Sequence, residues 1–546
     1  MHPRTATRLA LVLSLLLAAC GKEEAAKPYA IEEVTLSQIA DDLAAGKTTA
    51  VAVTDAYIER IKTYNSAVNG VIGVMPDARE QAAASDQRRK DGKALGPLDG
   101  IPILIKDNID AVGMPTTAGS FALVDNVPVK DSEVARRLRA AGAVILGKAN
   151  TSQWAGLRTT SGGMNGSTVG GPARNPYDLA RGAAGSSNGS GISAAASFAA
   201  ATVGTDTTGS IVAPSNANGV VGIRPTVGLI SRRGIIPVSL TQDTAGPMAR
   251  NVRDAAMLLT VLAGSDAADA ATAQADKHKT DYAKALSTDA LRDMRIGVYR
   301  GSSGLNERTQ AVFDEALGVL TAQGARLVDI PDAVLEDLSQ EQRLIMIYDI
   351  KEDMAAYLAD APPTVKHRTL ADLIAFNKSD ARENIYGQDL FEAAEATTGR
   401  ATPEYIQTVE YARRRAGAEG YARAMTDYEV TAIVAPTGGP AGLIGGGRPA
   451  ASAAPAAGGG GHPASVTPKG ARKPSISGVA ALAGYPNLSV PMGYVDGMPV
   501  GLSFVGPPWS EDILLAMGYA YEQASKKRIP PTAFKNAPPS NSPLSN

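Results

Sequence analysis

Ile101-Pro-Ile-Leu-Ile105 is a short, unbroken apolar run, and Glu133-Val-Ala-Arg-Arg-Leu-Arg-Ala-Ala141 lies downstream of it. Ser132 stands just before the second stretch and Gly142 just after it, and Val144-Ile-Leu146 is apolar again. A continuous apolar run bounded by turn residues reads as a strand buried on both faces. A serine ahead of a helical stretch accepts from first-turn N–H groups, and glycine tolerates the left-handed residue that closes a helix. The spacing therefore predicts strand, helix over 133–141, strand. The same order returns at 296–299, 308–323 and near Leu327, with Gly324 as the stop. Such alternation argues for an α/β fold with a mainly parallel sheet.

Working outward, residues 36–65 predict two helices separated by Gly46-Lys47-Thr48, the second buried along Ile58, Ile61 and Tyr64. Residues 348–424 are charged and poor in glycine, and are expected to be helical and to cover one side of the sheet. Leu488-Ser-Val and Pro499-Val-Gly-Leu-Ser-Phe504 read as closing strands. Residues 438–472 are dominated by glycine, alanine and proline, with a Gly458–Gly461 run, and read as a flexible surface insertion. The end of the chain, 531–546, rich in proline and serine, is expected to be disordered.

A chain of 546 residues can bury a large core. Its net charge of −2 and 5% aromatic content exclude a basic, base-stacking surface, so no nucleic-acid partner is expected. Cys20 is the one cysteine. Arg4 and Arg8 precede the apolar stretch 9–17, and Leu17-Ala-Ala-Cys20 closes it. This is the pattern of a secretory signal over 1–19, and it resembles a lipoprotein lipobox with Cys20 as the lipidation site. Residues 20–30 would be a polar tether. The resemblance implies a lipid-anchored, extracytoplasmic protein, on the outer membrane facing the periplasm of a Gram-negative bacterium. With Cys20 lipidated, no disulfide is available.

The chemistry has few candidates. The histidines are His2, His278, His367 and His462. The first falls in the signal and the last in the insertion, so zinc or thiol chemistry lacks ligands, and no metal or cofactor is expected. Gly185-Ser-Ser187-Asn-Gly189 matches the nucleophile elbow G-x-S-x-G, with Ser187 as nucleophile. That elbow needs a strand before it, and Asp178-Leu-Ala-Arg-Gly-Ala-Ala184 is not one.

A histidine-free reading fits better. Lys106 closes the apolar run, and a lysine buried there is costly unless neutral; a neutral lysine is a base. Ser186 would relay a proton between Ser210 and Lys106, and Ser210 Oγ would attack a carbonyl. Backbone N–H groups of Thr207, Thr208, Gly209 and Ser210 would hold the oxyanion, where one donor is worth about 3 kcal/mol of barrier. The alanine-rich helix after Ser190 would aim its positive N-terminus at the Ser186 loop.

These residues carry a resemblance. Gly96-Pro-Leu-Asp-Gly-Ile-Pro102, Lys106-Asp107, Gly185-Ser-Ser187 and Gly204-Thr-Asp206…Gly209-Ser-Ile211 resemble the amidase signature family in order and spacing. Val221-Gly-Ile-Arg-Pro-Thr226 and Asp243-Thr-Ala-Gly-Pro-Met-Ala-Arg250 extend the resemblance downstream. The resemblance implies one large domain over 31–530, an α/β fold with a central mixed sheet covered by helices, no cofactor, and a cis peptide at Ser186. It implies a Ser-cisSer-Lys triad of Ser210, Ser186 and Lys106, acting through an acyl-enzyme. Within the family the chain is most similar to bacterial peptide amidases, also over Asn384-Ile-Tyr-Gly-Gln-Asp-Leu-Phe391. That implies C-terminal peptide amides, or other small amides, as substrates. Thr208 and Asn188 stand where glycine is common. If position 208 requires positive φ, a threonine there would be strained, and the alternative would be a catalytically silent surface lipoprotein that binds rather than cleaves.

Overall fold

Pro102–Lys106 is a strand with every residue buried, as a both-faces-covered apolar run requires. The computed structural model describes residues 29–160, 165–444 and 473–537. In chain order its strands are β1 (Val71–Val74), β2 (Pro102–Lys106), β3 (Val144–Ala149), β4 (Gly166–Ser167), β5 (Gly171–Pro172), β6 (Ala201–Asp206) and β7 (Val221–Arg224). They continue as β8 (Thr244–Ala249), β9 (Arg295–Tyr299), β10 (Arg326–Ile330), β11 (Ala432–Pro436), β12 (Asn487–Val495) and β13 (Met498–Val505). Among the described residues, eleven strands form one sheet in the order β1-β3-β2-β6-β8-β7-β12-β13-β11-β9-β10. Helices surround it, and the whole is a single large α/β domain.

The sheet is mixed, and this corrects the mainly parallel sheet expected from strand–helix–strand alternation. β2 runs parallel to β3 and β6, and β9 parallel to β10 and β11. The middle of the sheet, β6-β8-β7-β12-β13-β11, is antiparallel throughout. The physical reason is the connections. A helix crossover returns a strand in the same direction, whereas Asp496-Gly497, both at positive φ, close a tight hairpin between β12 and β13.

Local signals hold where they rest on caps. Ser132 accepts from Ala135 N–H at the start of Glu133–Ala140, and Gly142 takes φ 79° past its end. Thr49 caps Ala50–Val68 in the same way. The 348–424 segment is helical, yet it does not simply cover the sheet. Ser339–Asp360, Leu370–Ser379 and Asp389–Glu395 pack on loop residues Ala118, Leu123, Trp154, Ile236 and Val238. Pro403–Ala416 instead joins the core over β9, β10 and β11.

Two spans expected to be flexible are held in part by the fold. Most of 438–472 lies outside the described residues, but 438–444 is held: Arg181 donates to Ala441 O, Gly182 N–H to Gly442 O, and Asn216 to Gly439 O. The disordered tail expected over 531–546 is corrected at 531–537. Phe534 is buried edge-on against Tyr64 and Phe198, which anchors the chain there. At the other end, the tether expected over 20–30 is described only at 29–30, and Tyr29 donates to Asp42. Residues 1–19 and Cys20 lie outside the described residues. Among the described residues no helix is long and apolar enough to cross a membrane.

Candidate active site

The site grows from two adjacent strand ends. β2 and β6 are parallel neighbours with Ile105 opposite Val203. Their last residues therefore lie side by side, Lys106 at one end, Thr205 and Asp206 at the other. Ser186 arrives in the loop before helix Asn188–Ala195, and its carbonyl accepts from Ser152 N–H (2.9 Å) and Thr151 Oγ1 (3.2 Å). The Gly185–Ser186 peptide is cis. Gly189 lets this helix start pass the backbone of Asn150: a Cβ there would sit 2.3 Å from Asn150 N.

Lys106 Nζ lies 2.7 Å from Ser186 Oγ and 2.7 Å from Thr205 Oγ1, and its side chain is fully buried. Burial pulls the ammonium down to about 7, against the opposing charges of Asp206 and Asp243. Burial thus favours the free amine over the ammonium. A free amine donates N–H to Thr205 Oγ1 and keeps its lone pair for the Ser186 hydroxyl. Asn108 Nδ2 donates to the same Thr205 oxygen at 3.0 Å. Thr205 is the functional residue that the sequence alone leaves without a role. Its signal is its register opposite the end of β2, which only the pairing reveals.

Ser187 is not a free nucleophile. It is fully buried, its Oγ donates to Thr205 O (2.9 Å) and accepts from Thr205 N–H (3.1 Å), and its own N–H donates to Ser210 O (3.2 Å). Those bonds pin the Ser186 loop to the β6 end and bring the Ser210 backbone beside it. Ser210 itself is half-buried at the start of the turn into helix Val212–Asn218.

The 207–210 loop is shaped by a buried ion pair. Asp206 meets Arg224 at 2.7 Å with both side chains fully buried, and it accepts from Gly209 N–H and Ile211 N–H, each at 2.7 Å. Gly209 N–H is therefore already engaged, unlike the expectation that all four loop donors face an oxyanion. Among the described residues, the N–H groups of Thr207, Thr208 and Ser210 have no protein acceptor. The left-handed turn falls on Gly209, at φ 124°, and Thr208 is not among the positive-φ residues. The strain considered at Thr208 is absent.

A small cleft beside this loop is lined by Ile236, Pro237, Val238 and Leu240 together with Thr207 and Asp243. Arg158 lies further out: it pairs with buried Glu383 at 2.6 Å and donates to Tyr386 O, so it anchors the 384–391 stretch. His278 stacks on Trp509 and His367 lies against Phe376, both as packing groups. Among the described residues no cluster of three or more His, Cys, Asp or Glu side chains is placed to hold a metal ion.

This arrangement sets a buried amine against a serine hydroxyl, beside a buried to half-buried loop whose Thr207, Thr208 and Ser210 N–H groups have no protein acceptor among the described residues. Residues 52–515 match the protein family described as Amidase. A probable amidase of Arabidopsis thaliana is 34% identical over 517 residues, 92% of each chain. The native peptide amidase of Stenotrophomonas maltophilia superposes with a TM-score of 0.84 at 41% identity, covering 92% of this chain and 98% of that one. A peptide amidase in complex with the competitive inhibitor chymostatin gives 0.83 and 41%, covering 92% and 99%.

Proposed function

This chain belongs to the amidase family and is a hydrolytic amidase, and on that premise we propose that it cleaves C-terminal peptide amides to acid and ammonia. The 41% identity to a peptide amidase over nearly its full length supports the substrate class. The observation that carries the mechanism is Lys106 Nζ at 2.7 Å from Ser186 Oγ in a fully buried pocket.

In this reading neutral Lys106 takes the Ser186 proton as Ser186 takes that of Ser210. Ser210 Oγ attacks the amide carbonyl, and the oxyanion is held by the free N–H groups of Thr207, Thr208 and Ser210. The relay then runs backward: Ser186 protonates the leaving nitrogen and ammonia departs. Water, activated by the same pair, attacks the acyl-Ser210 ester and releases the acid.

The proposal extends to location. The basic, apolar and Leu17-Ala-Ala-Cys20 pattern supports export, lipidation at Cys20, and anchoring on the outer membrane facing the periplasm. Mass spectrometry of the mature N-terminus tests it; an unmodified Cys20 would refute it. The silent-binding alternative drew on strain at Thr208, and no observation favours it.

The test of function is ammonia release from a C-terminally amidated dipeptide by residues 21–546, with Ser210→Ala as control. Release by the wild type alone supports the reading. Absence of release from a folded sample, with Ser210 still labelled by a fluorophosphonate, would reject peptide amides and keep the triad.

A further inference from the structure

Asp243 is a buried carboxylate that the proposed steps leave without a role. Its Oδ1 accepts from Thr207 Oγ1 at 2.6 Å, and its Oδ2 accepts from Val238 N–H at 2.8 Å and Ser239 N–H at 2.9 Å. The strand register produces this contact. β6 and β8 are antiparallel with Asp206 opposite Thr244, so Thr207 and Asp243 face each other one step beyond the ladder.

Two carboxylates thus divide the 207–210 loop. Asp206 holds its far end through Gly209 and Ile211. Thr207 lies outside that grip and is held by Asp243. The other oxygen of Asp243 holds the cleft wall, and that wall is clamped from outside as well. Ser239 Oγ donates to Asp349 at 2.5 Å, Leu240 N–H to Asp353 at 2.8 Å, and Arg232 to Leu240 O. The apolar wall residues Ile236, Pro237, Val238 and Leu240 line the same small cavity as Thr207 and Asp243.

We propose that Asp243 is a positioning residue, one that ties the Thr207 end of the oxyanion loop to the apolar cleft wall at Val238 and Ser239. This rests on the proposed triad and oxyanion loop. A donor must be held to within about 0.5 Å of its productive position to be worth its full effect. The Thr207 hydroxyl bond fixes that residue's rotamer, and through it the direction of the loop backbone. A side chain seated against the wall is then registered with the donor that stabilises its own carbonyl.

The test is a double-mutant cycle on the full-length protein with Asp243→Asn, Thr207→Val and both together. Two readouts are taken: kcat and KM on a C-terminally amidated dipeptide with an apolar side chain, and the rate of fluorophosphonate labelling of Ser210. Each single variant is expected to lower kcat and the labelling rate about tenfold or more, with KM changed less than about twofold. The double variant should be no worse than the worse single, because one shared bond is lost. Thr207→Ser, which keeps the hydroxyl, should restore most of the rate. Losses that multiply, losses confined to KM, or a Thr207→Val variant that matches the wild type would each overturn the proposal. Should Asp243→Asn fail to fold, Thr207→Val against Thr207→Ser still decides. A wild type that is labelled but releases no ammonia would count against the peptide-amide reading, and the labelling rates would judge Asp243 on their own.

Discussion

Lys106 and Thr205 stand side by side at the C-terminal ends of two parallel strands, with Nζ 2.7 Å from Thr205 Oγ1. The contact orients the amine. An N–H directed at Thr205 leaves the lone pair for Ser186, also at 2.7 Å. In the proposed mechanism burial would supply the neutral amine and the threonine would aim it.

The pH dependence comes from the direction of the Lys106 shift. Its ammonium is pulled from 10.5 down to about 7 by desolvation, and only the neutral form is a base. We expect kcat/KM to rise with pH through an acid limb near 7. Lys106→Ala should lose activity most severely at neutral pH and less at alkaline pH, where hydroxide can replace the base. A pH-independent defect would contradict the role of Lys106.

The same shift predicts that stability, like activity, rises with pH, while removing the lysine acts on the two in opposite directions. The folded-state pKa lies below the unfolded one, so between about 7 and 10.5 the unfolded chain binds more protons. The penalty for burying Lys106 is therefore fully present below pH 7 and fades as pH rises toward 10.5. Lys106→Met should abolish activity and raise Tm near pH 7, and this gain should shrink as pH approaches 10. Thermal unfolding at pH 7 and pH 9.5 compares the two; a gain that grows with pH would refute the assignment.

Thr205→Val removes the acceptor and keeps the shape. Leaving a buried donor without its acceptor costs about 1–3 kcal/mol, so kcat should fall roughly 5–100-fold. Thr205→Ser should recover most of it. Equal activity in the valine and serine variants, by steady-state kinetics, would show that the amine is aimed by something else.

Arg224→Ala leaves Asp206 as an unpaired buried carboxylate, since the two lie 2.7 Å apart with no exposure. Breaking such a pair from one side typically costs about 3–5 kcal/mol. Urea unfolding should show a loss of that order, along with lost activity, because Asp206 also fixes Gly209 and Ile211. A loss under about 1 kcal/mol would mean the carboxylate finds another partner.

Much of this is legible in the chain. The caps at Ser132 and Gly142 place a helix to within a residue, because capping is a local hydrogen bond. The apolar run before Lys106 announces a buried amine for a related reason: desolvation needs only apolar neighbours along the strand. The spacing of Ser186 and Ser210 marks both serines, and the structure holds their backbones together through the Ser187 N–H to Ser210 O bond.

Other features depend on partners far away in sequence. Strand direction in the centre of the sheet is not legible, since apolar periodicity is the same in parallel and antiparallel strands. Phe534 reads as part of a loose tail because its partners, Tyr64 and Phe198, are hundreds of residues away. Gly209 N–H reads as free until Asp206 folds back onto it. Residue type and neighbours along the chain set the helix ends, the buried strand and the identity of the candidate site residues, for those depend on short-range sterics and desolvation. The aim of Lys106 by Thr205, the split of the loop between Asp206 and Asp243, and the shape of the cleft belong to the tertiary fold. Each is a contact between strand ends whose register no local preference encodes.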